Sequence, residues 1–218
     1  MNIITVDGYS STGKGTLAKK LAEYFDYAYM DTGAMYRFVA LNLLRRGLGE
    51  GDIAAAIQIA ENMPFEKIPQ IQTDPDIRSP EVGALVSKIA TIPEVRSAVA
   101  RLQHKLGEKP VTLDGRPAKG LSLDGRDIGT VIFPKAKYKI FLTADPTIRA
   151  NRRLKELQSA GKCVTFNDVL SELTDRDRRD TERKNSPTIP AKDAFILDTT
   201  DLTIDEVFAR VVDFIRNK

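Results

Sequence analysis

Short apolar segments alternate with longer amphipathic segments along most of the chain. The apolar segments lie at residues 2–8, 27–30, 121–123, 138–142 and 195–198. Short, nearly continuous apolar runs are typical of strands that are buried on both faces of a parallel sheet. The segments between them place apolar residues at helical spacing. The pattern therefore predicts an α/β fold, in which helices cover both faces of a five-stranded parallel sheet.

The helical segments differ in how clearly their ends are marked. Near the C-terminus, Thr203 and Glu206 have the spacing of a capping box, and apolar residues follow at helical intervals as far as Ile215. Two helices are predicted after Pro80 and Pro93, because proline is favoured in the first helical turn. Residues 64–80 show little periodicity, so we expect an irregular segment there.

The first strand leads into a turn that is rich in glycine and hydroxyl side chains. Residues 8–16 read Gly-Tyr-Ser-Ser-Thr-Gly-Lys-Gly-Thr, and an amphipathic helix follows. Glycines let backbone N–H groups surround an anion, and both the helix N-terminus and a lysine favour its negative charge. This order of strand, glycine-rich loop and helix predicts a site for the phosphates of a nucleotide. The first hydroxyl after Lys14 comes one residue late, at Thr16, and the Gly-Lys-Gly-Thr form resembles nucleoside monophosphate kinases.

Length and composition restrict the class of protein. The 218 residues suit one compact α/β domain, and a single cysteine, Cys163, excludes an internal disulfide and fits a reducing compartment. With one histidine, catalysis by a histidine pair is not expected. The chain shows neither a signal-peptide pattern nor a membrane-spanning apolar run, so we expect a cytoplasmic protein. The net charge of +3 comes from 33 basic and 30 acidic residues, and this near balance does not favour nucleic-acid binding.

Two similar tripeptides, Asp-Gly-Arg, occur at 114–116 and 124–126. The first precedes a proline and is typical of a tight turn. The second ends an apolar run, where open α/β sheets place their ligands, so it is the better functional candidate. Asp124 is then a candidate Mg²⁺ partner, acting through a water molecule.

A charged segment at residues 175–183 carries several arginines. If the segment is helical, Arg176, Asp180 and Arg183 lie on one stripe. A solvated helix with internal ion pairs would have the same composition. Arginines around an aspartate can also bind a phosphate while the carboxylate accepts a hydrogen bond from a sugar or base. The phosphate loop elsewhere in the chain favours this second interpretation.

Taken together, these motifs closely resemble those of bacterial-type cytidylate kinases over nearly the whole chain. The motifs lie at residues 7–16, 31–37, 93–96 with Ser87, 124–130, 176–183 and 186–194. The resemblance implies a P-loop kinase fold with a five-stranded parallel core. It also implies transfer of the γ-phosphoryl group of ATP to CMP or dCMP, with Mg²⁺ as the metal.

The resemblance further implies a role for each matching residue. Gly8, Tyr9, Ser10, Ser11, Thr12, Gly13, Lys14, Gly15 and Thr16 would bind ATP. The acceptor phosphate would be held by Arg37 and Arg126, the cytosine by Thr32, Arg96, Asp127 and Arg183, and the pentose by Ser87, Arg176 and Asp180. Lys14, Arg126, Arg176 and Arg183 would act in catalysis, and Thr16 and Asp124 would serve the metal, Asp124 through water.

We expect residues 1–218 to form a single kinase domain with two small accessory parts. A mobile helical acceptor-binding lobe would span about residues 48–106, and a short arginine-rich lid about residues 152–184. The expected partners are ATP and CMP or dCMP, with no nucleic acid and no membrane, and the expected state is a monomer.

The sequence departs in places from the usual cytidylate kinase pattern, and two alternative functions stay open. Tyr9 and Ser11 stand where such kinases commonly have proline and glycine, and Thr188 stands where leucine is usual. One alternative is a P-loop kinase for another acceptor, such as UMP. The other is a nucleotide-dependent switch or an RNA-binding protein, although the sequence lacks the Asn-Lys-x-Asp motif of GTPase switches.

Overall fold

The computed structural model describes residues 2–218. Its five strands are β1 (Asn2–Gly8), β2 (Ala28–Asp31), β3 (Gly120–Asp124), β4 (Tyr138–Thr143) and β5 (Phe195–Asp198). They form one sheet in the order β2-β3-β1-β4-β5. The predicted five-stranded parallel sheet of a P-loop kinase fold is thus confirmed.

The register between the strands is defined along the sheet. Tyr138 lies opposite Ile4 in the β1–β4 pair, and Phe195 lies opposite Ile140 in the β4–β5 pair. In the β2–β3 pair, Asp31 lies opposite Asp124, so the two strands end side by side in acidic residues. β1 and β3 are almost fully buried and lie inside the sheet, which explains why apolar residues predominate in both strands.

The α-helices connect and follow these strands. They are α1 (Lys14–Phe25), α2 (Thr32–Arg45), α3 (Ile53–Glu61), α4 (Ile68–Ile71), α5 (Pro80–Ile89), α6 (Pro93–Glu108), α7 (Pro146–Ser159), α8 (Phe166–Glu182) and α9 (Ile204–Asn217). Capping boxes begin α8, at Thr165 and Asp168, and α9, at Thr203 and Glu206, the latter as predicted. A π-helical turn follows β3 at Ile128–Ile132.

Two segments differ from the expectations. Residues 64–80 are not wholly irregular, because they contain α4 and two short 3₁₀ turns, Phe65–Lys67 and Pro75–Arg78. These elements are only one turn long, so they leave no helical periodicity in the sequence. The charged helix α8 ends at Glu182, and Arg183 is extended with ψ 136°. Arg183 therefore lies just beyond the stripe that a longer helix would have formed.

The chain divides into two compact units. One comprises Ala22–Asp124 with the first residues of β1, and the other comprises Ile4–Leu21 and Gly125–Lys218. The core of the first unit is built around the buried side chains of Met35, Leu43, Ile68, Ile77, Ile89, Leu121 and Leu123. The core of the second is built around Ile4, Leu17, Leu21, Ile128 and Ile140. Within residues 2–218, no helix is both long and apolar enough to cross a membrane.

Candidate active site

The loop between β1 and α1 depends on unusual backbone angles. Gly8 has φ 140°, and a Cβ atom there would lie only 2.1 Å from the carbonyl oxygen of Leu142. Gly13 has φ 90°. Both angles are disfavoured for residues with a side chain, which explains why glycine occupies these positions. Ser11 adopts the left-handed region as well, with φ 58°, so it keeps a backbone conformation suited to glycine.

Lys14 lies at the first position of α1 and is only 6% exposed. Its ammonium group donates a hydrogen bond to the carbonyl oxygen of Tyr9, and the hydroxyl of Thr12 donates to the same oxygen at 3.0 Å. The ammonium group of Lys14, at the start of the helix, is therefore held over the preceding loop. A helix N-terminus and an adjacent ammonium are both favourable surroundings for a phosphate. Thr16, in the first turn of the helix, is exposed.

Asp7 is a buried carboxylate immediately before the loop. Its two oxygens accept hydrogen bonds from the backbone N–H groups of Ile128 at 2.9 Å and Gly129 at 2.7 Å. Burial raises the pKa of Asp7 to about 6, an effect that these two bonds and Lys14 oppose and that nearby Asp127 adds to. Asp7 thereby fixes the start of the π-helical turn. Asp127, at the head of that turn, is itself buried.

An arginine cluster surrounds Asp180 on α8. Arg126 donates from Nε to Oδ2 of Asp180 at 3.1 Å, Arg183 lies 3.5 Å from Oδ1, and Arg176 lies 4.0 Å from Oδ2. Burial raises the pKa of Asp180, but the charges of the three arginines outweigh it and hold the pKa below the usual range. Three cations share one carboxylate, so the cluster carries a positive surplus that suits a phosphate. The structure brings these four predicted site residues together.

A second set of contacts joins the phosphate loop to α7 and α8. Arg149, on α7, donates to the carboxylate of Asp177 on α8 and to the carbonyl oxygen of Ser10. Arg126 donates to the hydroxyl of Ser10 at 2.9 Å. Neither Arg149 nor Asp177 could be assigned a role from the sequence, because each is one of several similar charged residues on its helix. Only the packing of α7 against α8 distinguishes them.

In the other unit, polar groups gather where β2 and β3 end. Asp31 caps α2 by accepting from the N–H group of Ala34 at 3.2 Å, and Arg78 pairs with it at 2.7 Å. Thr32 donates to the main-chain oxygen of Asp124 at 2.7 Å, and the hydroxyl of Tyr29 donates to Oδ1 of Asp124 at 2.8 Å. Burial, the charge of Asp124 and that of Asp31 raise the pKa of Tyr29. The structure thus brings Thr32 and Asp124 together.

The remaining predicted acceptor residues lie on helices α2, α5 and α6 of the same unit. Arg37 donates to the carbonyl oxygen of Ile77 at 3.3 Å, and Ser87 donates to that of Ala84 at 3.0 Å. Arg96 is buried, donates to Ala90 at 3.1 Å and lies over the ring of Tyr36. α2 packs against both α5 and α6, which places these side chains on neighbouring helices. Arg37 and Arg96 are thus fixed by main-chain oxygens.

The carboxylates of residues 2–218 do not form an all-protein metal site. This part of the chain contains no group of three or more His, Cys, Asp or Glu side chains that could hold a metal ion. Mg²⁺ usually keeps several waters and binds through one or two carboxylates together with substrate phosphates. A single residue such as Thr16 or Asp124 is compatible with that mode of binding.

Comparison with known proteins adds independent information. The family model described as "Cytidylate kinase" matches residues 4–217. The cytidylate kinase of Paramagnetospirillum magneticum is 42% identical over 216 residues, covering 99% of this chain and 98% of that protein. The cytidylate kinase of Aliivibrio salmonicida is 39% identical over 226 residues, covering 99% and 97%.

Structural similarity extends to a distant protein. An uncharacterized protein from Eubacterium ventriosum has a TM-score of 0.55 and 11% sequence identity, with full coverage of both chains. At that identity the likeness concerns the fold alone. The family match, by contrast, spans nearly every described residue and includes both the glycine-rich loop and the arginine segment. On these grounds the chain belongs to the cytidylate kinase family.

Proposed function

We propose that this protein transfers the γ-phosphoryl group of ATP to CMP or dCMP, giving ADP and CDP or dCDP. The observation that carries the proposal is the cluster of Arg126, Arg176 and Arg183 around Asp180, in the same unit as the phosphate loop. The position of Lys14 over the loop is explained if the loop binds the phosphates of ATP, the phosphoryl donor. Three further cations, held by a single carboxylate, suit the phosphates of two substrates rather than one.

In this proposal ATP binds to the loop from Gly8 to Thr16. Backbone N–H groups and Lys14 hold its phosphates, since Lys14 already lies over the loop. Mg²⁺ would be held by the ATP phosphates together with Thr16, and by Asp124 through a water. Bound there, it would neutralise charge on the β- and γ-phosphate oxygens.

CMP or dCMP binds to the residues that the family resemblance assigns to the acceptor. Arg37 and Arg126 hold the acceptor phosphate, and Arg176, Asp180 and Ser87 face the pentose. Thr32, Arg96, Asp127 and Arg183 surround the cytosine. Arg96 and Asp127 each suit base recognition, because both side chains are buried and because a guanidinium donor and a carboxylate acceptor can each hydrogen-bond with the polar edge of a base.

Phosphoryl transfer mainly requires that the protein position the two nucleotides and stabilise negative charge. The acceptor phosphate is already largely ionised near neutral pH, so no general base is needed. Lys14, Arg126, Arg176 and Arg183 would offset the repulsion between the two nucleotides and stabilise the charge of the transferred group.

Residues 48–106 would form a mobile acceptor-binding lobe of a single domain, and residues 152–184 a lid that excludes water and so suppresses ATP hydrolysis. We also propose a cytoplasmic monomer without a nucleic-acid partner.

A coupled assay of ADP formation tests the proposal. ATP and Mg²⁺ are supplied with CMP, dCMP, UMP, AMP or no acceptor. We expect rapid ADP formation with CMP or dCMP, and little without an acceptor. A preference for UMP or AMP would indicate a kinase for another acceptor. ADP formation that ignores CMP would favour a nucleotide-dependent switch, and tight, salt-dependent RNA binding would favour an RNA-binding protein.

A further inference from the structure

Ser10 in the phosphate loop is contacted through all three of its polar groups. Its N–H group donates to Oδ1 of Asp177 at 3.4 Å, and its carbonyl oxygen accepts from Arg149 at 3.3 Å. Its hydroxyl accepts from Arg126 at 2.9 Å. These contacts come from α7, from α8 and from the segment after β3. One loop residue therefore meets three elements of its unit.

Arg149 is the most restrained of these partners. It is 4% exposed, and Nε donates to the carbonyl oxygen of Ala144 at 2.9 Å. The guanidinium group pairs with Asp177 and lies 5.4 Å from the centre of the Tyr9 ring. A buried charge is tolerated only when it is paired and hydrogen-bonded, and both conditions hold here. The planar, forked guanidinium group can meet these separate partners at once, whereas an ammonium group cannot match that geometry.

Asp177 lies three residues before Asp180 on α8, so the two carboxylates lie on one side of the helix. Asp177 reaches the loop directly and through Arg149. Asp180 reaches it through Arg126, whose guanidinium group contacts both Asp180 and the hydroxyl of Ser10. Two links one helical turn apart therefore fix the rotation of α8 relative to the loop.

We infer that Arg149 and Asp177 are positioning residues, which fix α8 on the phosphate loop and thereby orient Arg126 and Arg176 for phosphoryl transfer. The inference deepens the proposed function and rests on it for the identity of the reaction. In this account neither residue needs to touch a substrate. Loss of the link leaves the loop and Lys14 in place but lets α8 rotate. Turnover then falls more than ATP binding does, because misplacement by about 1 Å can cost about 100-fold in rate.

The test compares Asp177→Asn with a matched variant on the same helix. Asp175 pairs with Arg178 at 3.1 Å, and both side chains are exposed, so Asp175→Asn removes an equivalent charge away from the loop. We expect Asp177→Asn to lower kcat with CMP about 10- to 100-fold, while KM for ATP changes by less than about threefold. Asp175→Asn should keep both parameters at wild-type values. A kcat for Asp177→Asn within about twofold of wild type overturns the inference.

A second variant keeps the test decisive if Asp177→Asn folds poorly. Arg149→Lys retains the charge but loses the forked geometry, and it should show the same fall in kcat. The double variant should be no worse than the poorer single variant, because both changes remove one link. If the losses of kcat in the two single variants added up in the double variant, the inference would be overturned.

Hydrogen exchange provides a readout that does not depend on the reaction. Exchange of the amides of α8 should increase in Asp177→Asn and stay unchanged in Asp175→Asn. If hydrogen exchange of the α8 amides were unchanged in both variants, Asp177 would not fix α8 on the phosphate loop. If wild-type protein forms no ADP with CMP, the proposed function fails, whereas the exchange experiment still decides whether Asp177 holds α8.

Discussion

At the scale of single residues, Asp7 shows how burial and hydrogen bonding oppose each other. The carboxylate is 5% exposed, yet it accepts two backbone N–H groups at the head of the π-helical turn. Burial dominates, and the pKa lies at about 6. At neutral pH the group is therefore charged in an environment that disfavours the charge, and it depends on those two bonds.

This balance predicts a specific pH dependence of stability. The folded-state pKa of Asp7 is raised, so its contribution is fully present below about pH 4 and is lost as the pH rises to about 6. The difference in the free energy of unfolding between wild type and Asp7→Asn should shrink by about 3 kcal/mol as the pH rises from about 3 to about 7, through both pKa values, and stay constant at higher pH. Urea unfolding at a series of pH values measures this difference.

Asp168 supplies the control for that experiment. The hydroxyl and the N–H group of Thr165 hold its pKa below the usual range, so the sign is reversed. The stabilising contribution of Asp168 is present at neutral pH and is lost on acidification. If Asp7→Asn showed the same trend as Asp168→Asn, burial would not be the dominant influence on Asp7.

A second prediction concerns Ser11, which has a left-handed φ of 58°. A residue with a side chain in this region costs about 1–2 kcal/mol, so its replacement by glycine relieves strain. The extra conformational freedom of glycine in the unfolded chain offsets part of that stabilisation. Ser11→Gly should therefore stabilise the protein by about 0.5 kcal/mol, seen as a higher Tm. The control, Ser171→Gly on the exposed side of α8, should lower the Tm. Equal losses in the two variants would contradict strain at Ser11.

At the scale of elements, the second Asp-Gly-Arg tripeptide and helix α8 act together. Arg126, two residues after the end of β3, pairs with Asp180 on α8, while Arg116 pairs with Asp114 in an exposed turn. The sequence favoured the second tripeptide as functional, and that assignment remains a prediction. The turn predicted at the first is confirmed, since the N–H group of Gly115 donates to the carbonyl oxygen of Thr112.

The two arginines provide a matched pair of variants. Arg126→Ala should reduce kcat by about 100- to 1,000-fold, because it removes a cation from the developing charge of the transferred group. ATP affinity should change little, since Lys14 and the loop remain. Arg116→Ala should leave both quantities unchanged. Steady-state kinetics with CMP, together with calorimetry of ATP binding, measure the effects. Near-normal turnover in Arg126→Ala would reject the role given to it.

The elements also show what the sequence could reveal. α9 and its capping box were predictable, because Thr203, Glu206 and the apolar spacing are local signals. The one-turn elements between residues 64 and 80 were not, because four residues carry no period. The Arg149–Asp177 pair was not predictable either. It depends on how α7 packs against α8, and the neighbouring charged residues on both helices offer equally plausible pairs.

At the scale of the whole molecule, family membership was predictable because several motifs occur in one order over nearly the full chain. The resemblance to cytidylate kinases is confirmed by the match over residues 4–217. The order of strands β2-β3-β1-β4-β5 needed the structure, since apolar runs do not reveal which strands are neighbours. The roles of the individual site residues remain predictions, which the variants above address.

The proposed function requires that the phosphoryl group of ATP move to CMP and not to water. The most direct measurement is to incubate the protein with equal amounts of ATP, CMP and Mg²⁺ and to separate the products by anion-exchange chromatography. We expect ADP and CDP in equal amounts, with almost no inorganic phosphate. ADP accompanied by inorganic phosphate, with no CDP, would contradict transfer to CMP.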